Sequence, residues 1–320
     1  MSATLSALSV DEIIARLGAQ STCDAGLTQD PWHFDTTKPS YGPGASMLDK
    51  LPHNAPRQQV LPEEYRNASD EELQERIRSA KSRLGSKLLI LGHFYQRDEI
   101  ICHADYVGDS FQLAKNATQC PDADHIVFCG VHFMAETAKV LCPGKKVLIP
   151  CPEAGCSLAE SCDARDFAAF KARYPGHTVV SYVNTTVGVK ALTDICCTSS
   201  NALKVVQSIP ADRPIIFAPD RNLGAYIKKL TGRENMVIWD GACHVHEEFS
   251  LEKLLQLKKE HPAARIVVHP ECRAYIVAVA DYVGSTAGIL SYCGQSDAQE
   301  FIVVTEAGIL AEMPRRHPEK

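Results

Sequence analysis

A six-residue phrase that the chain repeats three times constrains its fold more than any other feature. Asp105-Tyr106-Val107-Gly108-Asp109-Ser110 returns as Asp281-Tyr282-Val283-Gly284-Ser285-Thr286, and more loosely as Asp194-Ile195-Cys196-Cys197-Thr198-Ser199. Each copy places a Ser or Thr five positions after an Asp, and the copies lie about 88 residues apart. A fixed period of this kind is typical of a repeated structural unit. We therefore predict three copies of one folding unit.

Each unit alternates short apolar runs with helical segments. The runs at 88–92, 178–181 and 266–268 are rich in Val, Ile and Leu and lack polar alternation, as parallel strands buried on both faces do. Strands that alternate with helices form βαβ units. We predict an α/β protein of three similar three-layer αβα lobes, whose short parallel sheets surround a pseudo-threefold axis.

The predicted lobe boundaries follow from the repeat. The lobes span residues 86–174, 175–262 and 263–320, after an N-terminal arm with helices at 1–85. The first two lobes each have a fourth apolar run, at 147–149 and 237–239, with a cysteine shortly after it. The third lobe has no such run before Lys320, so we predict that it lacks its fourth strand.

Polar residues recur at the predicted strand ends. They follow the first strands (His93, Tyr95, Tyr182, Asn184, His269, Glu271), the second strands (Ser110, Ser199, Thr286) and the fourth strands (Cys156, Cys243). Ligand sites of open α/β sheets lie beyond the carboxyl ends of the strands, so we predict one central cavity. A Ser before a helix is usually only an N-cap. Its recurrence in three units favours a ligand-binding role. The two roles can coexist, because a capped helix N-terminus can also bind an anion.

Composition excludes several classes of function. A formal net charge of −6 argues against a nucleic-acid partner, and the chain has no apolar run of the roughly 20 residues that a membrane span requires. The first five residues lack a basic segment, so we expect no secretory signal and a cytoplasmic location. Thirteen cysteines in such a chain indicate metal or redox chemistry.

The cysteines allow three interpretations. One thiolate from each lobe would suit a cubane iron–sulfur cluster without its usual fourth cysteine, leaving one iron open as a Lewis acid. Cys151, Cys156 and Cys162 could instead form a zinc knuckle, but their spacings of five and six residues do not match a C-x2-C pair. Without the repeat, the default for Cys156 and Cys243 is a structural thiol.

Several motifs resemble quinolinate synthase. In the first predicted lobe they are Gly92-His93-Phe94-Tyr95-Gln96, residues 128–139 and Glu153-Ala154-Gly155-Cys156-Ser157-Leu158. In the rest of the chain they are Tyr182-Val183-Asn184-Thr185, Cys197-Thr198-Ser199-Ser200, residues 239–247, Val268-His269-Pro270-Glu271 and Val283-Gly284-Ser285-Thr286. The likeness runs from about residue 87 to 312 in family order, which is far more specific than any single motif. It implies three α/β lobes around a [4Fe-4S] cluster held by three cysteines.

The resemblance also implies a reaction and roles for individual residues. The family condenses iminosuccinate (iminoaspartate) with dihydroxyacetone phosphate to quinolinate, phosphate and water in NAD biosynthesis, and L-aspartate oxidase or aspartate dehydrogenase supplies the iminosuccinate. Cys156 and Cys243 would bind the cluster, and Tyr95, His269 and Glu271 would transfer protons. The expected substrate-binding residues are His93, Ser110, Tyr182, Val183, Asn184, Ser199, His269, Pro270, Glu271 and Thr286.

The third cluster cysteine is the one departure from the family pattern. Adding the spacing of roughly 50 residues between repeat Asp and cysteine to Asp281 places it about ten residues past Lys320. As written, the chain therefore resembles a truncated member of the family. The alternatives are a non-catalytic remnant that binds dicarboxylates, and an aconitase-like hydro-lyase acting on another acid.

Overall fold

The computed structural model describes residues 61–152 and 154–320, with helices α1 (Glu63–Arg66) and α2 (Asp70–Leu84) before the first sheet. Residues 1–60, most of the predicted arm, lie outside the described residues, as does Glu153 of one quoted motif. Helix α2 begins after Ser69, whose hydroxyl accepts a hydrogen bond from the Glu72 backbone N–H at 3.2 Å. This bond satisfies one of the free amides of the first helical turn.

The first lobe contains four strands and, with α2, five helices. After α2 come β1 (Leu88–His93), α3 (Asp98–Ile101), β2 (Tyr106–Gly108), α4 (Ser110–Gln119), β3 (His125–Cys129), α5 (His132–Leu141), β4 (Lys146–Leu148) and α6 (Ser157–Glu160). The next helix, α7 (Ala164–Ala172), buries Phe167 against the second sheet. The strands are parallel in the order β2-β1-β3-β4.

The second lobe repeats this order. Its elements are β5 (Thr178–Tyr182), α8 (Val187–Lys190), β6 (Ile195–Cys197), α9 (Ala202–Ser208), β7 (Ile215–Ala218), α10 (Arg221–Thr231), β8 (Met236–Ile238) and α11 (His244–Glu247). The next helix, α12 (Leu251–Glu260), buries Leu254 against the third sheet. The parallel sheet has the order β6-β5-β7-β8, which is equivalent to that of the first lobe.

The third lobe has a three-stranded parallel sheet in the order β10-β9-β11. Its elements are β9 (Arg265–Val268), α13 (Ala274–Val277), β10 (Tyr282–Val283), α14 (Thr286–Gln295), β11 (Phe301–Val304) and α15 (Ile309–Arg316). Three short all-parallel sheets with helices between their strands confirm the predicted α/β class of three similar lobes.

The Asp of the repeated phrase has the same structural task in all three lobes. Asp105, Asp194 and Asp281 each accept a hydrogen bond from a backbone N–H of the first strand at 2.8 Å through the side chain. The backbone N–H of each Asp also donates to the carbonyl of that same strand residue, at 2.8, 3.0 and 2.8 Å. Each Asp therefore links the start of the second strand to the first strand. Its two hydrogen bonds satisfy an N–H and a carbonyl of the first strand that the pairing of strands leaves without a partner.

The hydroxyl residue that follows five positions later is not the N-cap. Asp109 caps α4 by accepting from the Gln112 N–H, and Ser285 caps α14 by accepting from the Gly288 N–H. Ser110 and Thr286 are the first residues inside these helices, so the N-cap interpretation of the two is wrong. Their hydroxyls therefore remain available to other groups at the sheet edge.

Hydrophobic packing joins the first lobe to the third beside the strand ends. Phe94, Leu290 and Ile309 are buried against one another and form a small core between the lobes. A side chain at Gly308 would meet the Tyr95 Cα at 2.7 Å, so only glycine permits this close approach. Burying a side chain such as Phe94 contributes about 1.5–3 kcal/mol, which holds the loop after β1 against the third lobe.

Candidate functional site

The carboxyl ends of the three sheets meet, as the position of the polar residues predicts. Tyr95 of the first lobe and Thr286 of the third share a hydrogen bond of 3.0 Å between their hydroxyls. His246 Nδ1 of the second lobe lies 3.2 Å from Glu271 Oε2 of the third. These two contacts place residues from all three lobes in one buried site.

Two histidines in the site have the same tautomer, set by the same local geometry. His93 Nδ1 accepts from the Tyr95 backbone N–H at 3.3 Å, and His269 Nδ1 accepts from the Glu271 backbone N–H at 3.4 Å. The proton of each neutral ring is therefore on Nε2. Burial lowers the pKa of each imidazole to about 4, so both rings are neutral N–H donors at neutral pH.

Glu271 is the buried anion of the site, with only 2% of its surface exposed. Burial opposes its ionisation, but His269 and His246, together with hydrogen bonds from His246 and Tyr182, outweigh this cost and lower its pKa to about 2. The carboxylate therefore accepts hydrogen bonds at every pH at which the protein is expected to work.

The two tyrosines are neutral phenols. Burial raises the pKa of Tyr95 above its ordinary value, and the charges of Glu271 and Glu306 act in the same direction. Burial likewise raises the pKa of Tyr182, and its hydroxyl interacts with both Glu271 and Ser199. Each phenol therefore keeps its proton and can donate it to a bound ligand.

Cys156 and Cys243 approach each other from the loops after β4 and β8. Their thiols interact electrostatically, and burial raises the pKa of Cys156 to about 11 and that of Cys243 well above its usual range. The backbone amides of Leu158 and Ala159 are directed at the Cys156 sulfur, and that of His246 at Cys243. The residues that follow the two cysteines are joined by a contact of 2.5 Å between Ser157 Oγ and His244 Nδ1.

His246 is a central residue of the site that the sequence analysis left without a role. Its Nδ1 lies 3.1 Å from Cys243 Sγ and 3.2 Å from Glu271 Oε2, and its Nε2 lies 3.0 Å from Thr305 Oγ1. Its ring stacks on that of His269 at 4.7 Å between centroids. The i,i+3 spacing from Cys243 was a signal, because it places both residues on one face of a helical turn.

Cys243, His246 and Glu271 also form a group of potential metal ligands. Their ligand atoms all lie within 4.8 Å of one another, and no other such group of three occurs within residues 61–152 and 154–320. Cys162 is fully buried in a core with Phe167 and Val179. The zinc-knuckle interpretation is therefore wrong for the described part of the chain.

Two further residues that the sequence analysis missed hold the site backbone. Asp220 is fully buried, and its carboxylate accepts from the Leu223 N–H at 2.6 Å and from the Cys243 N–H at 3.2 Å. Asn222 Nδ2 donates to the Glu271 carbonyl at 2.9 Å and to Glu247 Oε1 at 2.6 Å. Both residues follow the third strand of the second lobe, a position that the repeat did not mark.

The remaining predicted site residues lie at the same sheet edges. Val183 and Pro270 are buried in the turns after β5 and β9, and Ser110 and Ser199 are partly buried. Among the described residues, the buried Asn184 Oδ1 has no hydrogen-bond partner. A buried acceptor of this kind fits a donor on a bound ligand.

None of the helices described here combines the length and the apolar character needed to cross a bilayer.

Comparison with known proteins places this arrangement in one family. The family described as "Quinolinate synthetase A protein" matches residues 75–320. A quinolinate synthase of Synechocystis sp. is 53% identical over 266 residues, covering 83% of this chain and 80% of the relative. One of Trichodesmium erythraeum is 52% identical over 254 residues, covering 79% and 77%. One of Synechococcus sp. is 56% identical over 232 residues, covering 72% of each chain. The chain belongs to this enzyme family.

Proposed function

We propose that this member of the quinolinate synthetase A family condenses iminosuccinate with dihydroxyacetone phosphate, forming quinolinate, phosphate and water in NAD biosynthesis. The observation that carries the proposal is the meeting of two neutral imidazoles, two phenols, one carboxylate and two thiols from three lobes in one buried site. The resemblance of the motifs and the names of the relatives support the same reaction.

The substrate is a dicarboxylate, and the site supplies donors for it. The Nε2–H groups of His93 and His269 would donate to carboxylate oxygens, as would the hydroxyls of Ser110, Ser199 and Thr286. Ser110 and Thr286 stand at the first positions of the ten-residue helices α4 and α14, whose free amides favour negative charge. The turns at Tyr182-Val183-Asn184 and His269-Pro270-Glu271 would enclose the carbon skeleton.

The acid–base steps would use a protonated phenol, Tyr95, and an ionised carboxylate, Glu271. Tyr95 would donate its phenolic proton to a leaving oxygen and hold its hydroxyl in place through Thr286. Glu271 would accept N–H or O–H groups of the substrate and exchange protons with Tyr182 and His246, which already contact it. His269 completes the predicted set of proton-transfer residues, since a neutral imidazole can both give and take a proton. Isomerisation, ring closure and loss of water each need such groups.

The donor set fits an iron–sulfur cluster. Cys156 and Cys243 would hold a [4Fe-4S] cluster, and the amides of Leu158, Ala159 and His246 would stabilise the thiolate charge. When bound, the cluster supplies a Lewis-acidic iron without a cysteine ligand. The third cysteine ligand is still a prediction, and the repeat places it past Lys320. Cys272 and Cys293 do not supply this ligand, because they are core residues of the third lobe.

Anaerobic reconstitution tests the proposal. The chain, together with the segment that carries the predicted third cysteine, is treated with iron and sulfide. Quinolinate is then measured by chromatography after iminosuccinate is generated in place by L-aspartate oxidase or aspartate dehydrogenase, the proposed partner enzymes. Iron-dependent formation of quinolinate is expected. Dicarboxylate binding without turnover would identify the non-catalytic remnant instead, and dehydration of another hydroxy acid would identify the hydro-lyase. A cytoplasmic location, also part of the proposal, would be tested by cell fractionation.

A further inference from the structure

Lys190 donates hydrogen bonds to the turn that carries Asn184. This lysine is the last residue of α8, and its ammonium donates to the Val183 carbonyl at 2.8 Å and to the Thr185 carbonyl. Its Nζ also lies 3.5 Å from the Thr185 hydroxyl. All three acceptors flank Asn184, so one side chain fixes the turn on both sides of that residue.

The ammonium is charged in a place where charge is costly. It lies 5.4 Å from the centre of the Phe133 ring, a cation–π contact with α5 of the first lobe, and forms no ion pair among the described residues. Burial lowers its pKa to about 8, while Cys196, Glu136 and Cys156 act in the opposite direction. At neutral pH the lysine is therefore still protonated, although an apolar residue would avoid this desolvation.

The positive charge of Lys190 would help the site to bind an anionic ligand. Glu271 is anionic and the imidazoles of His93 and His269 are neutral, so none of these three groups supplies positive charge to a dicarboxylate. Lys190 polarises the peptide groups on which the turn is built, which strengthens N–H donors on the opposite side of the same peptides. It does so without occupying the space of the ligand.

A second contact holds the helix that carries Lys190. Glu136 of α5 accepts a hydrogen bond from the Val187 backbone N–H at 2.9 Å, at the first position of α8. Together with Phe133, this contact fastens α8 to the first lobe. The turn is therefore fixed from two lobes.

We propose that Lys190 is a positioning residue that holds the turn 183–185 in the conformation that binds one carboxylate of a dicarboxylic substrate. The inference rests on the substrate-binding role proposed for Asn184. It predicts an effect on ligand affinity that is separate from proton transfer, because Lys190 contacts none of the predicted acid–base residues among its hydrogen bonds.

The test compares Lys190→Met, Lys190→Gln and Lys190→Arg in the reconstituted chain. Lys171→Met is the matched control, because Lys171 also donates to a backbone carbonyl beside α8, that of Leu192 at 2.8 Å, but not to the turn. Maleate is the probe, since it is a stable planar dicarboxylate. Its affinity is measured by anaerobic calorimetry, together with KM, kcat, cluster absorbance and thermal unfolding.

We expect Lys190→Met to weaken maleate binding and raise KM by about tenfold, equivalent to about 1.4 kcal/mol. The expected kcat stays within threefold, because an interaction shared by ground and transition states changes KM alone. Lys190→Arg should retain most of the affinity because it keeps the charge and the donors, and Lys171→Met should bind as the unaltered chain does.

Two results would overturn the inference. One is maleate affinity within twofold of the unaltered chain for Lys190→Met, or for Lys190→Gln if the methionine variant does not fold. The other is an equal loss in Lys171→Met, which would show a general effect on stability. Quinolinate formation by the unaltered reconstituted chain separates this failure from failure of the proposed function. Turnover together with unchanged maleate affinity in Lys190→Met overturns this inference alone, whereas absence of turnover in the unaltered chain overturns the proposed function.

Discussion

The first and third lobes place their site residues on the same backbone arrangement, but the residue two positions after the histidine is a neutral phenol in one lobe and a carboxylate anion in the other. In both lobes a histidine ends the first-strand segment and accepts a hydrogen bond from the backbone N–H two residues later. In the first lobe that later residue is Tyr95, which burial keeps protonated. In the third it is Glu271, whose neighbours lower its pKa to about 2. The repeat thus sets where a side chain lies, whereas its chemistry and its neighbours set its charge.

The two lobes also differ beyond their third strands. In the first, β3 pairs with β4, and Cys156 follows in the next loop. In the third, β11 pairs with β9 alone among the described strands, and three of its four residues are only partly buried. The lobe with the fourth strand supplies a thiol, and the other supplies the carboxylate. Substitutions in each lobe can test this division of roles.

The largest effect is expected for the thiol of the first lobe. Cys156→Ser should lose the cluster iron and all measurable synthase activity, because an alcohol does not replace a thiolate ligand. Cys272→Ser is the control in the third lobe, where the sulfur lies in the core near the Val304 carbonyl. Iron and sulfide analysis after reconstitution measures both. Full iron content in Cys156→Ser would show that the thiol of the first lobe does not bind the cluster.

Glu271→Gln should lower kcat by about 10³-fold, within the range typical of acid–base groups. The amide keeps the shape of the carboxylate but removes the charge that Tyr182 and His246 contact. Steady-state kinetics measures the change, with Glu300→Gln on the exposed surface as control. A value within a factor of two of the unaltered enzyme would exclude Glu271 from the mechanism.

Tyr95→Phe should lower kcat by about 10²-fold, at the lower end of the same range, while the cluster and the fold are retained. The reason is loss of the phenolic proton, since the ring remains to pack against His93 at 4.5 Å between centroids. Tyr174→Phe, outside the site, serves as control. Unchanged kcat would show that Tyr95 contributes packing and does not transfer a proton.

Asp281→Ala should lower the free energy of unfolding by about 2 kcal/mol, because it leaves the Ile266 N–H without its acceptor. Asp105→Ala, at the equivalent position of the first lobe, should cost a similar amount. Urea unfolding at neutral pH measures both, and kcat at a temperature well below unfolding should stay within twofold. A loss in only one lobe would show that the shared hydrogen bonds are not equivalent in energy.

The smallest effect concerns pH. The pKa of His93 is lowered to about 4 in the folded protein, so the unfolded chain binds the additional proton between about pH 6.5 and 4. Stability contributed by this neutral histidine is therefore present above that window and falls as pH decreases through it. Between pH 7 and 5.5 the loss should be about 1.2 kcal/mol. Urea unfolding of His93→Gln at both pH values should show a smaller decrease; an equal decrease would contradict the assignment.

The sequence by itself determined the repeated unit, the alternation of strands and helices, and the position of the predicted site residues at the strand ends. Apolar runs without alternation and the recurring Asp are local signals, and they sufficed for the strands Leu88–His93, Thr178–Tyr182 and Arg265–Val268, each of which extends one residue beyond the predicted run. Convergence of the strand ends followed from the repeat. Local signals also misled in one respect, because the residue before Ser110 and Thr286 caps each helix.

Only the tertiary structure decided which side chains from different lobes touch and what charge they carry. His246 contacts Glu271 across a lobe boundary, Asn222 holds the Glu271 carbonyl, and Lys190 holds a turn ahead of its own helix. The first two contacts do not follow from spacing along the chain, because they depend on how the lobes pack. The third depends on the path of the turn within the second lobe. The protonation states depend on the same packing, since burial and neighbouring groups shift the pKa of Tyr95 and of Glu271 in opposite directions.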